Sequence, residues 1–283
     1  MFDLHVHTKA SDGEYSPTEI VEKAYNCGLD TIAITDHDTI DGIEEAIAAS
    51  KKYNIEVISG IELNAHVDHG KMHILGYFKN YQNSDFLHKM NDLKQDRQNR
   101  NLKFIKEFNN QGIDITIDDI KKYSFGEILA KPHFARALYE KKYINDIEEA
   151  YKNFFNVEPM KSIKRETISP REAIELIKKV NGIVILAHPI TLKLNYEDLN
   201  TKIQELMSYG LDGIECYNSI HTQEDITALL NIAKQNNLLV TAGSDYHGPI
   251  STPFNELGKG RNNNLYDAQN NSFILKNLKG RLS

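Results

Sequence analysis

Cysteine is nearly absent. The chain of 283 residues holds two, Cys27 and Cys216, each in an apolar setting. That excludes a disulfide framework, and both read as buried free thiols in a reducing compartment. No apolar run is long enough to span a membrane. The first residues lack a basic stretch followed by an apolar one, so no secretory signal is expected and a cytoplasmic location is. Positive charge is in deficit: 33 Lys and Arg stand against 40 Asp and Glu, a formal net charge of −7. Proteins that coat long nucleic acid are basic, which argues against a duplex-binding surface and leaves room for a local basic pocket. No Gly-rich run precedes a helix as in a nucleotide-triphosphate loop or a dinucleotide fingerprint, and no internal repeat is present. What remains is ordinary for a globular fold, 40% hydrophobic and 26% charged.

Short β-rich runs alternate with amphipathic helical patterns. The runs are FDLHVHT, TIAITDHD, EVISGIEL, KMHILGYF, GIVILAHP, LDGIECYN and LLVTAGSDYH. Ser16-Pro17-Thr18-Glu19 and Ser169-Pro170-Arg171-Glu172 are capping boxes with proline at the first helical position. Strand–helix alternation with short links predicts parallel strands and right-handed crossovers. Seven such strands predict a barrel-like α/β fold, with an open doubly wound sheet as the alternative. Residues 80–167 break the alternation with an almost wholly helical, very polar pattern, read as an inserted helical subdomain. Residues 1–79 and 168–283 then form one discontinuous barrel domain. Its Asn-rich C-terminal stretch is expected to pack loosely, with one closing segment.

The ionisable residues gather where strands end. His5 and His7 share one face of the first strand. His37 lies between Asp36 and Asp38 at the end of the second, Glu62 ends the third and His73 lies in the fourth. His188 ends the fifth, and Asp245 and His247 end the last, while Asp12 follows the first. In parallel α/β folds, sites are built at the carboxyl ends of strands. A lone strand histidine is ordinarily a hydrogen-bonded core residue, and a lone strand-end carboxylate a helix cap. Repetition at several strand ends is not explained that way, because burying so many imidazoles and carboxylates without a cation costs several kcal/mol each. Imidazole with carboxylate and no thiolate suits zinc, manganese or iron(II). Nine ligands suit three divalent ions with Glu62 bridging. Clustered divalent ions generate hydroxide near neutral pH and clamp phosphoryl oxygens, which favours phosphate-ester hydrolysis with no protein nucleophile.

The stretches DLHVHTKASDG, AITDHD, SGIE, HILGY, ILAHP and GSDYH, in this order, resemble the motifs of the polymerase and histidinol phosphatase (PHP) superfamily. The resemblance covers residues 1–79 and 169–248. It implies a distorted seven-stranded (β/α) barrel and a trinuclear metal site. One ion would take His5, His7, Glu62 and Asp245, a second Asp12, His37 and His247, and a third Glu62, His73 and His188. Many relatives have histidine where this chain has Asp12. Aspartate there resembles a stand-alone subfamily acting on nucleoside 3′,5′-bisphosphates and, as 5′-to-3′ exoribonucleases, on short RNA. The substrate implied is therefore a small phosphorylated nucleotide or a short oligonucleotide.

Within the insertion, AKPHFARALYEKK starts a helix at Pro132 and carries His133 and Arg136 one turn apart. Lys131 stands where the subfamily more often has arginine. Lys131, His133 and Arg165 are expected to face the metals and hold a second phosphate, with Arg136 a weaker candidate that a salt bridge within its helix explains. His133 is also placed within reach of the third ion. His133, His221 or a metal-bound water is the expected proton donor to the leaving oxygen. His66 and His69 read as an exposed hairpin, and Asp36 and Asp38 as helix caps or acceptors that orient a ligand imidazole. Rival readings are a histidinol-phosphate phosphatase, a C–N hydrolase, whose usual bridging lysine has no strand counterpart here, and a non-catalytic metal-stabilised interaction module.

Overall fold

Ser16 and Ser169 each accept the N–H of the glutamate three residues on, and each glutamate reaches back to the serine N–H, so both capping boxes form. The computed structural model describes residues 1–124, 129–163 and 168–282. Its main strands are β1 (Phe2–Val6), β2 (Thr31–Ile34), β3 (Glu56–Ala65), β4 (Met72–Phe78), β5 (Ile183–Leu186), β6 (Gly213–Asn218) and β7 (Leu239–Gly243). The helices are α1 (Pro17–Asn26), α2 (Ile43–Tyr53), α3 (Ser84–Asn110), α4 (Ile117–Lys121), α5 (Lys131–Glu140), α6 (Ile147–Ala150), α7 (Pro170–Lys178), α8 (Tyr196–Tyr209), α9 (Gln223–Gln235), α10 (Tyr266–Gln269) and α11 (Ser272–Leu282).

All seven expected strands join one sheet in chain order. The sheet nearly closes on itself: His7 N–H donates to Tyr246 O at 3.0 Å, and Asp245 N–H donates to His5 O at 2.9 Å. A Cβ at Gly243 would fall 2.2 Å from His5 Cβ, so glycine lets β7 approach β1 at this seam. The fold is thus the distorted seven-stranded α/β barrel that the sequence predicts, and not an open sheet.

Three expectations are corrected. The strands are not all parallel, because β4 pairs antiparallel with both β3 and β5. Ala65 and Met72 are joined by a link too short for a crossover helix, so a hairpin is the only geometry open to it. The C-terminal stretch is not loose: Leu265, Ala268, Ile274 and Leu278 enter the main core. Gln269 there brackets Phe2, accepting from its N–H at 2.8 Å and donating to its carbonyl. Cys216 is buried, but Cys27 is exposed, since it caps the C-terminus of α1 beyond that helix's apolar face.

Helix α3 is ~40 Å long at 1.5 Å per residue and serves two cores. Phe86, Met90 and Leu93 pack with the barrel, whereas Phe104 and Phe108 pack with Ile115, Phe134, Leu138 and Phe155 of the insertion. Phe134 is fully buried and lies against Phe104, Phe108 and Phe155 with centroids 5.8, 6.2 and 6.1 Å away. Phe134→Ala should therefore lose about 3–5 kcal/mol of stability, the usual range for truncating a buried phenylalanine. Urea titration followed by circular dichroism checks this, and an unchanged midpoint would contradict it. Among the described residues, no helix is long and apolar enough to cross a membrane.

Candidate metal centre

Alternation along β1 turns His5 and His7 to the barrel mouth while Leu4 and Val6 enter the cores. The loop that follows is fixed by Asp36, which accepts from Thr8 N at 2.7 Å, Thr8 Oγ1 at 2.7 Å and Ser11 Oγ at 2.5 Å. Asp12 is carried by that loop. His73 begins β4 and reaches the same rim because β4 is inverted: its start lies where the other strands end. His188 and Asp245 sit at positive φ (27° and 53°), as does Asp38 (56°). Such strained backbone persists only where its surroundings hold it, and it clusters at functional sites.

Five of the imidazoles converge on Glu62, which is fully buried. Its Oε1 lies 2.9 Å from His73 Nδ1, 3.0 Å from His188 Nε2 and 3.4 Å from His5 Nε2; its Oε2 lies 2.9 Å from His37 Nδ1 and 3.2 Å from His7 Nε2. Asp245 Oδ1 is 3.2 Å from His7 Nε2 and 3.4 Å from His5 Nε2. Asp12 Oδ1 is 3.3 Å from His247 Nε2. Three sets bring one ligand atom each within 4.8 Å of one another: His5, His7, Glu62 and Asp245; His7, Asp12, His37 and His247; and His37, Glu62 and His73.

The donor set suits cations. His5 Nε2, both His7 nitrogens, Asp12 Oδ1, Glu62 Oε2 and Asp245 Oδ1 are buried and make no hydrogen bond despite these short separations. Buried polar atoms left this way are costly unless something else satisfies them. Burial works against the charge of Glu62, but His37, His73 and His5 outweigh it and hold the carboxyl well below its usual range. Burial also opposes the charge of Asp12 and Asp245, yet neighbouring imidazoles, His247 and His5 foremost, hold both low. The carboxylates are thus anionic at neutral pH, as metal ligands must be.

Two cavities flank the cluster and share Asp12, Pro132 and Tyr151. One, of about 430 Å³, is lined by His37 and His73 and by four cationic residues, Lys71, Arg97, Arg100 and Lys131. Burial, then Arg100 and Lys71, push Lys131 down to about 8. The other, of about 590 Å³, is lined by His133, Arg136, Ile147 and Ile250 as well. His133 is buried, and its Nδ1 accepts the Ala130 N–H at 3.0 Å, which leaves the proton of the neutral ring on Nε2. Burial pushes its pKa down to about 4. Arg136 pairs with Glu140 at 2.7 Å within its own helix. Arg165 lies outside the described residues. His66 and His69 are exposed on the β3–β4 hairpin. His221 is buried, with Nδ1 on Cys216 O at 2.9 Å, and lines neither cavity.

Sequence reasoning passed over Lys71, Arg97, Arg100 and Glu215. Asp38 is held by an arginine and an asparagine of neighbouring elements. It pairs with Arg97 and accepts from Asn64 N and Nδ2, both at 3.0 Å, and Asn64 Nδ2 lies 3.3 Å from His37 Nδ1. A signal existed for Glu215, an acid inside the apolar strand GIECYN.

A model of the PHP domain matches residues 3–166. The chain is 34% identical over 263 residues to a 5′-3′ exoribonuclease of Haemophilus influenzae, covering 91% of this chain and 93% of that one. It is 24% identical over 248 residues to a 3′,5′-nucleoside bisphosphate phosphatase of Chromobacterium violaceum, covering 87% of each. A solved structure from Bifidobacterium adolescentis, described as a presumed metal-dependent phosphoesterase, superposes with a TM-score of 0.85 at 27% identity over 99% of this chain and 96% of that one.

Proposed function

The chain belongs to the PHP domain family and is a metal-dependent phosphoesterase, and from that premise we propose that it hydrolyses phosphate esters of nucleotides. Its substrates are the 3′-phosphate of nucleoside 3′,5′-bisphosphates and short RNA bearing a 5′-phosphate. The named activities of the relatives support this reading. The observation that carries it is the adjacency of the acidic and imidazole cluster to a cavity lined by four cationic side chains. One phosphate is placed for hydrolysis and another is held beside it.

His5, His7, Glu62 and Asp245 would hold one ion, Asp12, His37 and His247 a second, and Glu62, His73 and His188 a third, with manganese, zinc or iron(II) as the metals the donors suit. Such ions, when bound, make water nucleophilic near neutral pH and neutralise charge on phosphoryl oxygens. Lys131, Lys71 and Arg100 bind the second phosphate, arginine by paired hydrogen bonds and lysine as a point charge. His133, neutral and carrying its proton on Nε2, donates a hydrogen bond from Nε2 to a phosphoryl oxygen; a neutral imidazole that gave this proton up would become imidazolate, so the ring is not the general acid. We read residues 80–167 as a subdomain capping the barrel of residues 1–79 and 168–283, which the side chains that residues 97–124 and 129–163 contribute to both cavities beside the cluster support.

Lys131→Ala should raise KM for a nucleoside 3′,5′-bisphosphate by roughly 10–100-fold, the worth of a charge-assisted hydrogen bond. The same variant should leave a nucleoside 3′-monophosphate nearly unaffected; equal losses on both would contradict the second-phosphate role. Turnover of a nucleoside 3′,5′-bisphosphate, a 5′-phosphorylated oligoribonucleotide and histidinol phosphate, compared side by side, tests the substrate class. The first two should be preferred, and preference for histidinol phosphate would overturn the assignment.

A further inference from the structure

Glu215 lies within β6 and is 1% exposed. Its carboxylate is gripped from three directions. Oε1 accepts from His5 Nδ1 at 3.0 Å, and Oε2 accepts from the His188 backbone N–H at 2.8 Å and from Asn218 Nδ2 at 2.9 Å. None of these partners is a lysine or arginine. A carboxylate buried in this way is costly, so its placement calls for a compensating role.

We infer that Glu215 is a positioning residue for the metal centre, setting the tautomer of His5 and the backbone of His188 with one carboxylate. This rests on the reading of the cluster as a metal site. When Nδ1–H of His5 donates to Glu215, Nε2 is left bare. That nitrogen faces Glu62 Oε1 and Asp245 Oδ1, each at 3.4 Å, where a cation would sit. His188 has φ 27° and ψ 64°, a conformation that a residue with a side chain adopts only under constraint. Its N–H bond to Glu215 supplies such a constraint, and the His188 ring, stacked 5.7 Å from that of His5, reaches Glu62 Oε1 at 3.0 Å. Glu215 thereby couples two ligands on different strands without being a ligand itself.

Glu215→Gln retains size and shape but replaces one acceptor oxygen with an NH2 group. That group must face either His5 Nδ1–H or the His188 N–H, donor against donor. Zn2+ affinity, measured on chelator-stripped protein by competition with a chromophoric chelator, should weaken by roughly 10–100-fold, while the variant keeps the wild-type circular dichroism spectrum. A folded variant that binds Zn2+ as tightly as wild type overturns the inference. Wild-type protein that binds no Zn2+ overturns the metal reading instead. Should the variant fail to fold, nitrogen-15 spectra of Zn2+-loaded wild type decide: a proton on His5 Nδ1 is expected, and a proton on Nε2 overturns the inference.

Discussion

Glu62→Gln lowers turnover by ~10³-fold, the upper end of what loss of one preorganised electrostatic group costs. Five imidazoles lie within 3.4 Å of its two oxygens, more partners than any other described side chain of the cluster has. Glutamine keeps the shape but carries no charge and offers one oxygen where two are needed. Two of the three ligand sets contain Glu62, so bound metal should fall together with rate. The metal-free variant should also lose about 3–5 kcal/mol of stability, because removing one partner of buried ion pairs leaves the others uncompensated. Turnover, metal content and urea denaturation of the same preparation check the three effects. Near-wild-type turnover with full metal content would contradict the placing of Glu62 at the centre of the site.

His133→Ala lowers turnover on nucleotide substrates by ~10²–10³-fold, the range for loss of one preorganised hydrogen-bond donor. The Nδ1 of the ring is occupied by the Ala130 N–H, burial keeps the ring neutral at pH 7, and it lines the larger cavity beside Asp12. Its Nε2–H is therefore a donor of hydrogen bonds and not of a proton. A bond to a phosphoryl oxygen is lost whatever the leaving group, so rates on p-nitrophenyl phosphate and on a nucleoside bisphosphate should fall together. A loss confined to the nucleoside bisphosphate, whose ribose oxygen leaves poorly without a proton, would contradict this and assign His133 to proton transfer.

Much of the fold was legible because its signals are local. The seven β-rich runs marked the strands, and capping boxes with proline at the first helical position marked the starts of α1 and α7. The direction of β4 was not legible from KMHILGYF, since the pattern of a strand reads the same in either direction. The short link from Ala65 to Met72 held that information. The His, Asp and Glu cluster was legible through repetition, because imidazole and carboxylate recurred at strand ends. The cationic cavity was not. Lys71 comes from a hairpin, Arg97 and Arg100 from α3, and Lys131 from α5, and only the packing of the insertion over the barrel brings them together. Arg97 in a polar helix resembles any solvated arginine until its pairing with Asp38 is seen. Glu215 reads as one residue of the strand GIECYN, and its partners His5 and His188 lie far from it in the chain, so its role shows only in the fold.

The account depends most on divalent ions held by the nine-residue cluster. Chelator-stripped protein should be titrated with Mn2+ while phosphate release from a nucleoside 3′,5′-bisphosphate is followed. The stripped protein should show no turnover above background, and activity should recover to saturation at about three ions per chain, one for each ligand set. Turnover that survives complete removal of metal would contradict it.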